Sequence, residues 1–223
     1  MTATTCPRDD CRTRDQRNFH VFEGCVSLTE MISSKEYGHS TIRRIGDVRM
    51  ELFISHTVAT DNWIKEHHYL HSAPAGARVR MEFYISYVEA ELLAQKYGFP
   101  LKDLDMLDGK CLVGAMMWGR PTSRKIDQRV ILELTRCCFL DFMPKNTESK
   151  GLAKARAWIR KNLPEIKGLI AYASTGESHC GTIYLADGWF KVSETGSCHA
   201  SWETRSGRKN RDLSVKYKFA RSP

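Results

Sequence analysis

The feature that most constrains the fold is a strand–helix–strand succession between residues 130 and 172. Val130–Leu140 reads VILELTRCCFL, a long run of β-forming residues. Residues 145–162 place apolar side chains at helical spacing along one face, and Asn146 or Thr147 can cap this helix. Gly168–Tyr172, GLIAY, is then a short buried strand. Helices that alternate with buried strands predict a layered α/β fold with some parallel pairing.

The rest of the chain adds further elements around this unit. They are, in chain order, a strand at 48–57, a short helix capped by Thr60 or Asp61 and ending near His67, a strand that passes into a helix at 79–97, a buried strand at 111–119, a short helix at 179–186 and a strand that begins at Trp189. Residues 1–42 show little periodicity, so we predict an irregular N-terminal arm followed by one domain over residues 43–223.

The N-terminal arm carries four residues of the types that bind zinc, Cys6, Cys11, His20 and Cys25. Their spacing matches no standard zinc finger, so free thiols on an irregular arm are the favoured interpretation. The chain starts with a polar, charged segment, and no run approaches the ~18 apolar residues of a membrane span. We therefore expect a soluble, cytoplasmic protein that has no membrane partner and keeps its eight cysteines mostly reduced.

Positive charge is concentrated near the end of the chain. The net charge of +8 comes from 34 Lys and Arg residues against 26 Asp and Glu residues. Between residues 205 and 223 there are seven basic residues and one acid, and this strip includes Arg208, Lys209 and Arg211. Together with the basic segment 120–129, the strip favours binding to the phosphates of double-stranded DNA. A solvated tail that only aids solubility is the alternative.

Reactive side chains are concentrated where the strand at 168–172 opens into the next helix: Ser174, His179, Tyr184 and Asp187. The end of a buried strand is a common place for a group-transfer site in an α/β protein. A second cluster of nitrogen and oxygen ligands is formed by His67, His68, Tyr69 and His71. His67 and His71 would share one helical face and offer a metal site, although the spacing identifies no third ligand. Contact with a nucleotide base is the alternative for this cluster.

The second half of the chain resembles the core of the GCN5-related acetyltransferase (GNAT) fold. The resemblance covers about residues 111–195 and rests on VILELTR, the helix at 150–162, GLIAY and IYLADGWFKV, in that order. It implies a mixed central β-sheet flanked by helices, α/β in class and α+β in detail. One motif differs from the GNAT pattern. In that family a Gly-rich loop holds the pyrophosphate of acetyl-CoA. Here the corresponding segment is FLDFMPKNTESKGLAK, and its glycine, Gly151, lies inside the helix.

Five short motifs lie over about residues 60–189: HHY at 67–69, LVG at 112–114, LELTR at 132–136, PKNTES at 144–149 and YAS…SHCGTIYLADGW. By these motifs the chain resembles the phage Mom family, GNAT-like proteins that modify N6 of adenine in phage DNA and protect it from host restriction. The resemblance implies transfer of a glycine-derived, carbamoylmethyl-type group. It leaves the donor open between an acetyl-CoA-like and an aminoacyl-tRNA-like molecule, with a donor RNA as a further candidate partner and iron as the metal to consider.

On the donor side, the resemblance implies roles for residues around the 145–162 helix. Arg136 would bind a donor carboxylate or phosphate, and an ion pair with Glu133 or Asp141 is its alternative. Ser149 lies near a helix N-terminus, where it would hold the donor or simply cap the helix. The neighbouring donor-binding candidates are Asn146 and Lys150.

On the acceptor side, His67, Tyr69, His179 and Asp187 are the candidates for contact with the adenine. Tyr184 would act as a general acid, with a core aromatic role as the alternative. The other catalytic candidates are His68, Tyr69 and Ser174. Where the family often has a carboxylate, this chain has Ser174, so the serine hydroxyl or a nearby acid, Asp187 or Glu177, is expected to take over.

The leading hypothesis from the sequence is therefore a phage-type DNA adenine modification enzyme. Two rivals stay open: an ordinary N-acyltransferase that uses acyl-CoA on a small amine or protein, and a non-catalytic DNA-binding protein. Three tryptophans are candidates for stacking on an extruded base, although their apolar-periodic positions favour the core: Trp63, Trp118 and Trp189.

Overall fold

The structure is a computed structural model that describes residues 48–101, 104–196 and 214–223, with the backbone alone at Glu177. Three sequence predictions lie outside these residues. They are the four candidate zinc ligands of the N-terminal arm, the boundary at residue 42, and the candidate DNA contacts Arg208, Lys209 and Arg211. No helix in the described part of the chain is long and apolar enough to cross a membrane.

The described residues form strands and helices that largely follow the predicted order. The strands are β1 (Glu51–Ser55), β2 (Ala77–Ser86), β3 (Met106–Leu107), β4 (Lys110–Gly119), β5 (Ile131–Phe139), β6 (Gly168–Ser174), β7 (Phe190–Thr195) and β8 (Lys216–Arg221). The helices are α1 (Ala59–His67), α2 (Tyr87–Tyr97), α3 (Thr147–Asn162) and α4 (Thr182–Ala186), and a 3₁₀ turn at Thr175–Glu177 precedes α4.

The strands make one mixed sheet in the order β1-β2-β4-β5-β6-β8-β7, with β3 paired to β4. The β5–β6 pair is parallel, and the other pairs are antiparallel. A strand–helix–strand unit of this kind returns the second strand parallel to the first. The predicted α/β class, with a mixed central sheet and partial parallel pairing, is confirmed.

The pairing between the parallel strands β5 and β6 stops before either strand ends. Its register runs from Ile131 opposite Gly168 to Leu134 opposite Ala171. Beyond this point β5 continues to Phe139 against β4 alone, and β6 continues to Ser174 against β8 alone. The carboxyl ends of the two parallel strands therefore separate and leave a cleft between them, which is the position where open α/β sheets bind ligands.

The two faces of the sheet are covered unequally. One face, called the helical face, carries α2, α3 and α4, whose buried side chains join a large core: Ala90, Leu93, Leu152, Ala155, Ile159 and Tyr184. The other face, called the α1 face, carries a smaller core in which Trp63 and Ile64 pack on Leu112 and Met117. Helix α1 contacts β2, β4 and β5 there. Strand alternation then tells which face each residue of a strand occupies.

Helix ends show where local signals decided the structure. Ser86 and Glu89 form a capping box at the start of α2, and Gly98 ends that helix at φ 70°. The predicted caps of α1 are wrong, because the helix begins at Ala59 and contains both residues. Thr60 donates a hydrogen bond to Glu82 (2.6 Å), and Asp61 pairs with Arg80 (2.6 Å).

The start of α3 also differs from its prediction. Asn146 occupies the N-cap position at φ 67° but makes no side-chain cap bond. Thr147 instead donates to the Pro144 carbonyl at 2.6 Å. Helix α4 begins at Thr182 and not at His179, because a turn comes first. The three tryptophans are buried, so the core interpretation of Trp63, Trp118 and Trp189 is confirmed.

The basic C-terminal segment is not simply a surface strip. Its last part forms β8, which lies between β6 and β7 inside the sheet. Phe219 of this strand is fully buried in the large core. The sequence predicted no strand here, because KYKFAR offers few apolar residues and its pairing partners are distant along the chain.

Candidate active site

Arg136 projects from β5 at the edge of the cleft. It lies opposite Met117, a member of the smaller core, so its side chain is on the α1 face. Its Nε and Nη2 donate to the carbonyl and hydroxyl oxygens of Ser72 at 2.8 and 3.0 Å, and Nη1 donates to the Thr135 carbonyl at 2.6 Å. Burial is the main influence on its pKa and lowers it. Among the described residues, the hydrogen-bond partners of the guanidinium are thus neutral oxygens.

The predicted alternative, an ion pair between Arg136 and Glu133 or Asp141, is not formed. Glu133 accepts hydrogen bonds from the backbone N–H of Thr122 at 2.8 Å and from its hydroxyl at 3.1 Å. Burial raises the pKa of Glu133, and the Thr122 bonds partly oppose that rise. Within the described residues Arg136 has no carboxylate partner, so its charge is available to an anionic ligand.

A compact turn after α1 holds the residues that face Arg136. The N–H of His68 closes α1 on the Ile64 carbonyl at 2.9 Å, and the N–H of His71 donates to the His68 carbonyl at 2.8 Å. The N–H of Leu70 donates to Nδ1 of His68 at 3.1 Å. These bonds fix the turn that presents Tyr69 and Ser72 to the cleft.

His68 is a neutral imidazole in this turn. The residue is 6% exposed, and burial lowers its pKa to about 4, with the Arg136 guanidinium, His179 and His71 adding to the shift. Because Nδ1 accepts the Leu70 hydrogen bond, the proton resides on Nε2. His68 stacks on Tyr69 with ring centroids 4.3 Å apart, and Tyr69 meets the edge of His179 at 5.0 Å. The turn and the β6–α4 segment therefore meet at this aromatic group.

The buried state of His68 predicts a pH-dependent loss of stability. In the unfolded chain the imidazole takes up a proton below about pH 6.5, whereas the folded protein resists protonation until about pH 4. The free energy of unfolding should therefore decrease by up to about 3 kcal/mol as the pH falls from about 6.5 to about 4. Urea unfolding at about pH 7 and about pH 4.5 measures the loss. In His68→Asn, whose amide oxygen can accept the Leu70 bond, the loss should be smaller; an equal loss in both proteins would contradict the assignment.

Tyr184 reaches the cleft from the opposite side of the sheet. It lies on α4, is 7% exposed, and packs on Trp189 and Phe219 with centroids 5.5 and 5.1 Å apart. Burial raises the pKa of its hydroxyl far above the usual value, and Cys137 and Tyr69 add to the effect. Cys137, on the helical face of β5, also has its pKa raised by burial. Tyr184 therefore keeps its proton at physiological pH and can act as a hydrogen-bond donor or an acid.

The start of α3 borders the cleft at the end of β5. Ser149 is buried and donates its hydroxyl proton to the Asn146 carbonyl at 3.0 Å, while Asn146 and Lys150 are exposed. The first amides of a helix have no partner inside the helix and attract anions. Gly151 serves packing here, because a Cβ at this position would lie 2.6 Å from the Phe139 ring. Three of the predicted donor-binding residues, Asn146, Ser149 and Lys150, are thus at one helix end, whereas Arg136 lies on β5.

The chain has relatives among known protein families and solved structures. The family model described as the Mom protein family matches residues 52–222 of the chain. The chain belongs to the Mom protein family. A curated relative, the methylcarbamoylase Mom of Escherichia phage Mu, is 30% identical over 91 residues. That match covers 37% of this chain and 38% of the phage Mu protein, so the chain spans well under half of that relative.

The fold also has a counterpart among solved structures. The structure of NAA60 from Arabidopsis thaliana in complex with a bisubstrate analogue aligns with a TM-score of 0.50 and 8% sequence identity, over 78% of this chain and 99% of that protein. At this identity the likeness concerns the fold alone. The GNAT-like fold expected from the sequence is confirmed for this Mom family member.

Ser174 is buried at the end of β6. Its hydroxyl lies 2.7 Å from the hydroxyl of Ser214, and its carbonyl accepts a hydrogen bond from the N–H of His179 at 3.0 Å. Asp187 does not replace the missing acid in the cleft. Its two oxygens accept bonds from Arg156 at 2.7 and 2.8 Å, and the Trp189 indole donates to it at 2.8 Å. We therefore assign Asp187 to holding α4 against α3 and leave it out of the site.

This role of Asp187 predicts a large stability effect. Arg156 and Asp187 are 12% and 5% exposed, so Asp187→Asn would leave a buried guanidinium unpaired. We expect a loss of about 3–5 kcal/mol in the free energy of unfolding, measured in urea. Asp127→Asn is the matched control, because Asp127 pairs with Arg129, which is 88% exposed, so its loss should be much smaller. Equal losses in the two variants would refute the structural assignment.

The predicted metal site is not assembled. His67 packs against Trp63 with centroids 4.5 Å apart, and Nδ1 of His71 lies 3.1 Å from the Lys65 carbonyl. His68 uses Nδ1 within its own turn. Throughout the described ranges, no three His, Cys, Asp or Glu side chains converge to hold a metal ion. These residues therefore do not fit the iron site that the resemblance suggested.

Sequence reasoning missed Ser72 as part of the site. Ser72 is 64 residues from Arg136 along the chain, and no local motif marks the contact. Cys137 was also missed, although it follows Arg136 directly and faces Tyr184 across the opening of the sheet. The structure brings Arg136, His68, Tyr69, His179 and Tyr184 to the cleft, with Ser149 at its border.

Proposed function

We propose that this Mom family protein transfers a small glycine-derived, carbamoylmethyl-type group to N6 of adenine in duplex DNA. The observation that carries the proposal is the desolvated guanidinium of Arg136, which has only neutral partners among the described residues and faces a cleft of uncharged proton donors. The name of the phage Mu relative, a methylcarbamoylase, supports the group transferred. The reaction would protect phage DNA from restriction in the cytoplasm of a bacterial host.

The chemistry of the acceptor, adenine N6, fits a cleft that is lined by few charged groups. Adenine N6 is a poor nucleophile because its lone pair is delocalised into the ring, so the enzyme must position it against the donor carbon. In a duplex the base must first leave the stack and enter a pocket, where aromatic side chains can hold its face. Tyr69 and His179 meet edge to face at the mouth of the cleft and present such a surface. The Nε2–H of His68 can donate to a ring nitrogen of the base.

On the donor side, Arg136 lies on the α1 face of β5, and the start of α3 borders the end of the same strand from the helical face. Arg136 would bind a carboxylate or phosphate of the donor, and the first amides of α3 beside Ser149 would bind a second anionic group. Both an acyl-CoA-like and an aminoacyl-tRNA-like donor carry such groups. As the bond from N6 to the donor carbon forms, the bond from that carbon to the leaving group would break. The Tyr184 hydroxyl would give its proton to the leaving group and would recover a proton from N6.

The direct test is to express the protein in bacteria, digest the cellular DNA to nucleosides and search by mass spectrometry for a modified deoxyadenosine. A new species that carries a carbamoylmethyl-type group is expected. If the protein is soluble, phage functions are supplied and only ordinary deoxyadenosine is found, the proposal is wrong. Tight binding of acetyl-CoA without DNA, measured by calorimetry, would then favour an ordinary N-acyltransferase.

A further inference from the structure

The two faces of β8 carry different parts of the basic C-terminal segment. Tyr217 and Phe219 pack into the large core, so they lie on the helical face. Lys216 and Lys218 alternate with them and therefore lie on the α1 face. Arg221 returns to the helical face, where its guanidinium lies close to Gly188 at the end of α4. Only some of the basic residues thus share a face with Arg136.

The α1 face of β6 and β8 lies beside the cleft. Helix α1 lies over β2, β4 and β5, and no other described helix covers the remaining strands on that side. Lys218 is directly opposite Tyr172, and Lys216 is directly opposite Ser174. Both lysines are half-buried along the sheet, so their aliphatic stems lie on the strand surface.

A second group of cations joins the same face from the β4–β5 loop. Thr122 binds Glu133, whose side chain is on the α1 face, and this contact ties the loop to that side. Lys216 and Lys218 also contribute to the pKa of Glu133, which shows that they share its surroundings. The side chains of three exposed loop residues make no hydrogen bond or ion pair with another described residue: Arg120, Arg124 and Lys125.

We propose that these five residues form a phosphate-binding surface, called the basic face, for the backbone of duplex DNA. It consists of Lys216, Lys218, Arg120, Arg124 and Lys125. The inference rests on the proposed function, in which DNA is the acceptor, and adds where the duplex lies. Lys216 and Lys218 are about 7 Å apart along the strand. That distance equals about two steps of the 3.4 Å rise between successive phosphates of one DNA strand.

Charge balance supports a polyanion on this surface. Glu133 is the buried acid beneath the basic face, and both of its oxygens accept bonds from Thr122. Glu133 attracts Lys216 and Lys218, but it is one negative charge beneath five positive ones. The basic face therefore keeps a net positive charge, and bound phosphates would release counterions as DNA is captured. The surface adjoins the mouth of the cleft, so a duplex held there would place an extruded base near Arg136 and Tyr69.

The test compares two variants that each remove one charge from β8. Lys218→Gln alters the basic face, and Arg221→Gln alters the opposite face of the same strand. Fluorescence anisotropy with a labelled duplex, at several salt concentrations, gives Kd and its salt dependence. We expect Lys218→Gln to raise Kd about 3- to 10-fold and to lower the salt slope by about 1. Arg221→Gln should change neither, and thermal unfolding checks that both variants are folded.

The outcomes separate this inference from the proposed function. Equal effects of the two variants, or an effect of Lys218→Gln on RNA of the same sequence but not on duplex DNA, would overturn the basic face. If modified deoxyadenosine is found in cells while Lys218→Gln binds DNA normally, the function stands and the surface is wrong. If no modified base is found but the binding difference holds, the surface stands and the chemistry is wrong. A wild-type protein that does not bind duplex DNA contradicts both.

Discussion

Replacing Arg136 with glutamine should lower the yield of modified deoxyadenosine at least about 100-fold, the effect expected when a group that stabilises developing charge is removed. The guanidinium is partly desolvated, which strengthens its attraction for an anionic donor, and no described carboxylate competes for it. Glutamine keeps a polar side chain that can bond to Ser72 but loses the charge. The yield is measured by mass spectrometry of nucleosides from cells that produce equal amounts of soluble protein.

Two further variants make the Arg136 result specific. Arg136→Lys keeps the charge but cannot hold Ser72 with two parallel donors, so we expect an intermediate loss of about 10-fold or more. Arg160→Gln removes an exposed arginine of α3 whose partner is the Pro223 carbonyl, and it should keep most of the activity. Retention of more than half of the wild-type yield by Arg136→Gln would exclude a role for this residue in donor binding.

The turn after α1 positions the guanidinium of Arg136. Ser72 fixes two of the three nitrogens of the guanidinium through its carbonyl and its hydroxyl. The carbonyl is positioned by the backbone of the turn, which the His68 ring and the 2.8 Å bond from the His71 N–H hold together. The orientation of the arginine therefore depends on a segment that also presents Tyr69. Donor and acceptor sides of the cleft are coupled through this one turn.

Local patterns were sufficient to predict the parts of the fold that local interactions decide. The β5–α3–β6 unit follows from an apolar run, a helical stripe and a second apolar run, and each is complete within its own segment. The junction of β2 and α2 follows from Ser86, Glu89 and Gly98, whose cap bonds span only a few residues. These elements needed no knowledge of distant partners.

The failed predictions concern contacts between residues far apart along the chain. Strand β8 carries three basic residues and shows its role only when β6 and β7 lie on either side of it. Asp187 seemed a free acid in the sequence because Arg156, its partner, is 31 residues away. Thr60 and Asp61 have the chemistry of helix caps, but Glu82 and Arg80 of β2 bind them instead. Tertiary contacts outweighed local preference in each case.

The prediction for Tyr184 tests the acid step directly. Tyr184→Phe removes one hydroxyl and keeps the ring that packs on Trp189 and Phe219. We expect the modification yield to fall about 100-fold or more, the usual contribution of a general acid. Stability should change by no more than about 1.5 kcal/mol, because at most one hydrogen bond is lost. Tyr217→Phe is the matched control, since it deletes a tyrosine hydroxyl under Lys191 on the helical face, and it should keep full activity.

The raised pKa of Tyr184 makes the same assignment testable by pH. Burial raises the pKa of the hydroxyl far above the usual tyrosine value. The protonated form should therefore be present at every alkaline pH at which the protein stays folded. Single-turnover rates should therefore show no loss near pH 10, about where an exposed tyrosine would ionise. A fall in rate at that pH in the wild type that is absent in Tyr184→Phe would mean that the hydroxyl ionises freely. Tyr184 would then act from a solvated position, and the reaction would not take place in the cleft between β5 and β6.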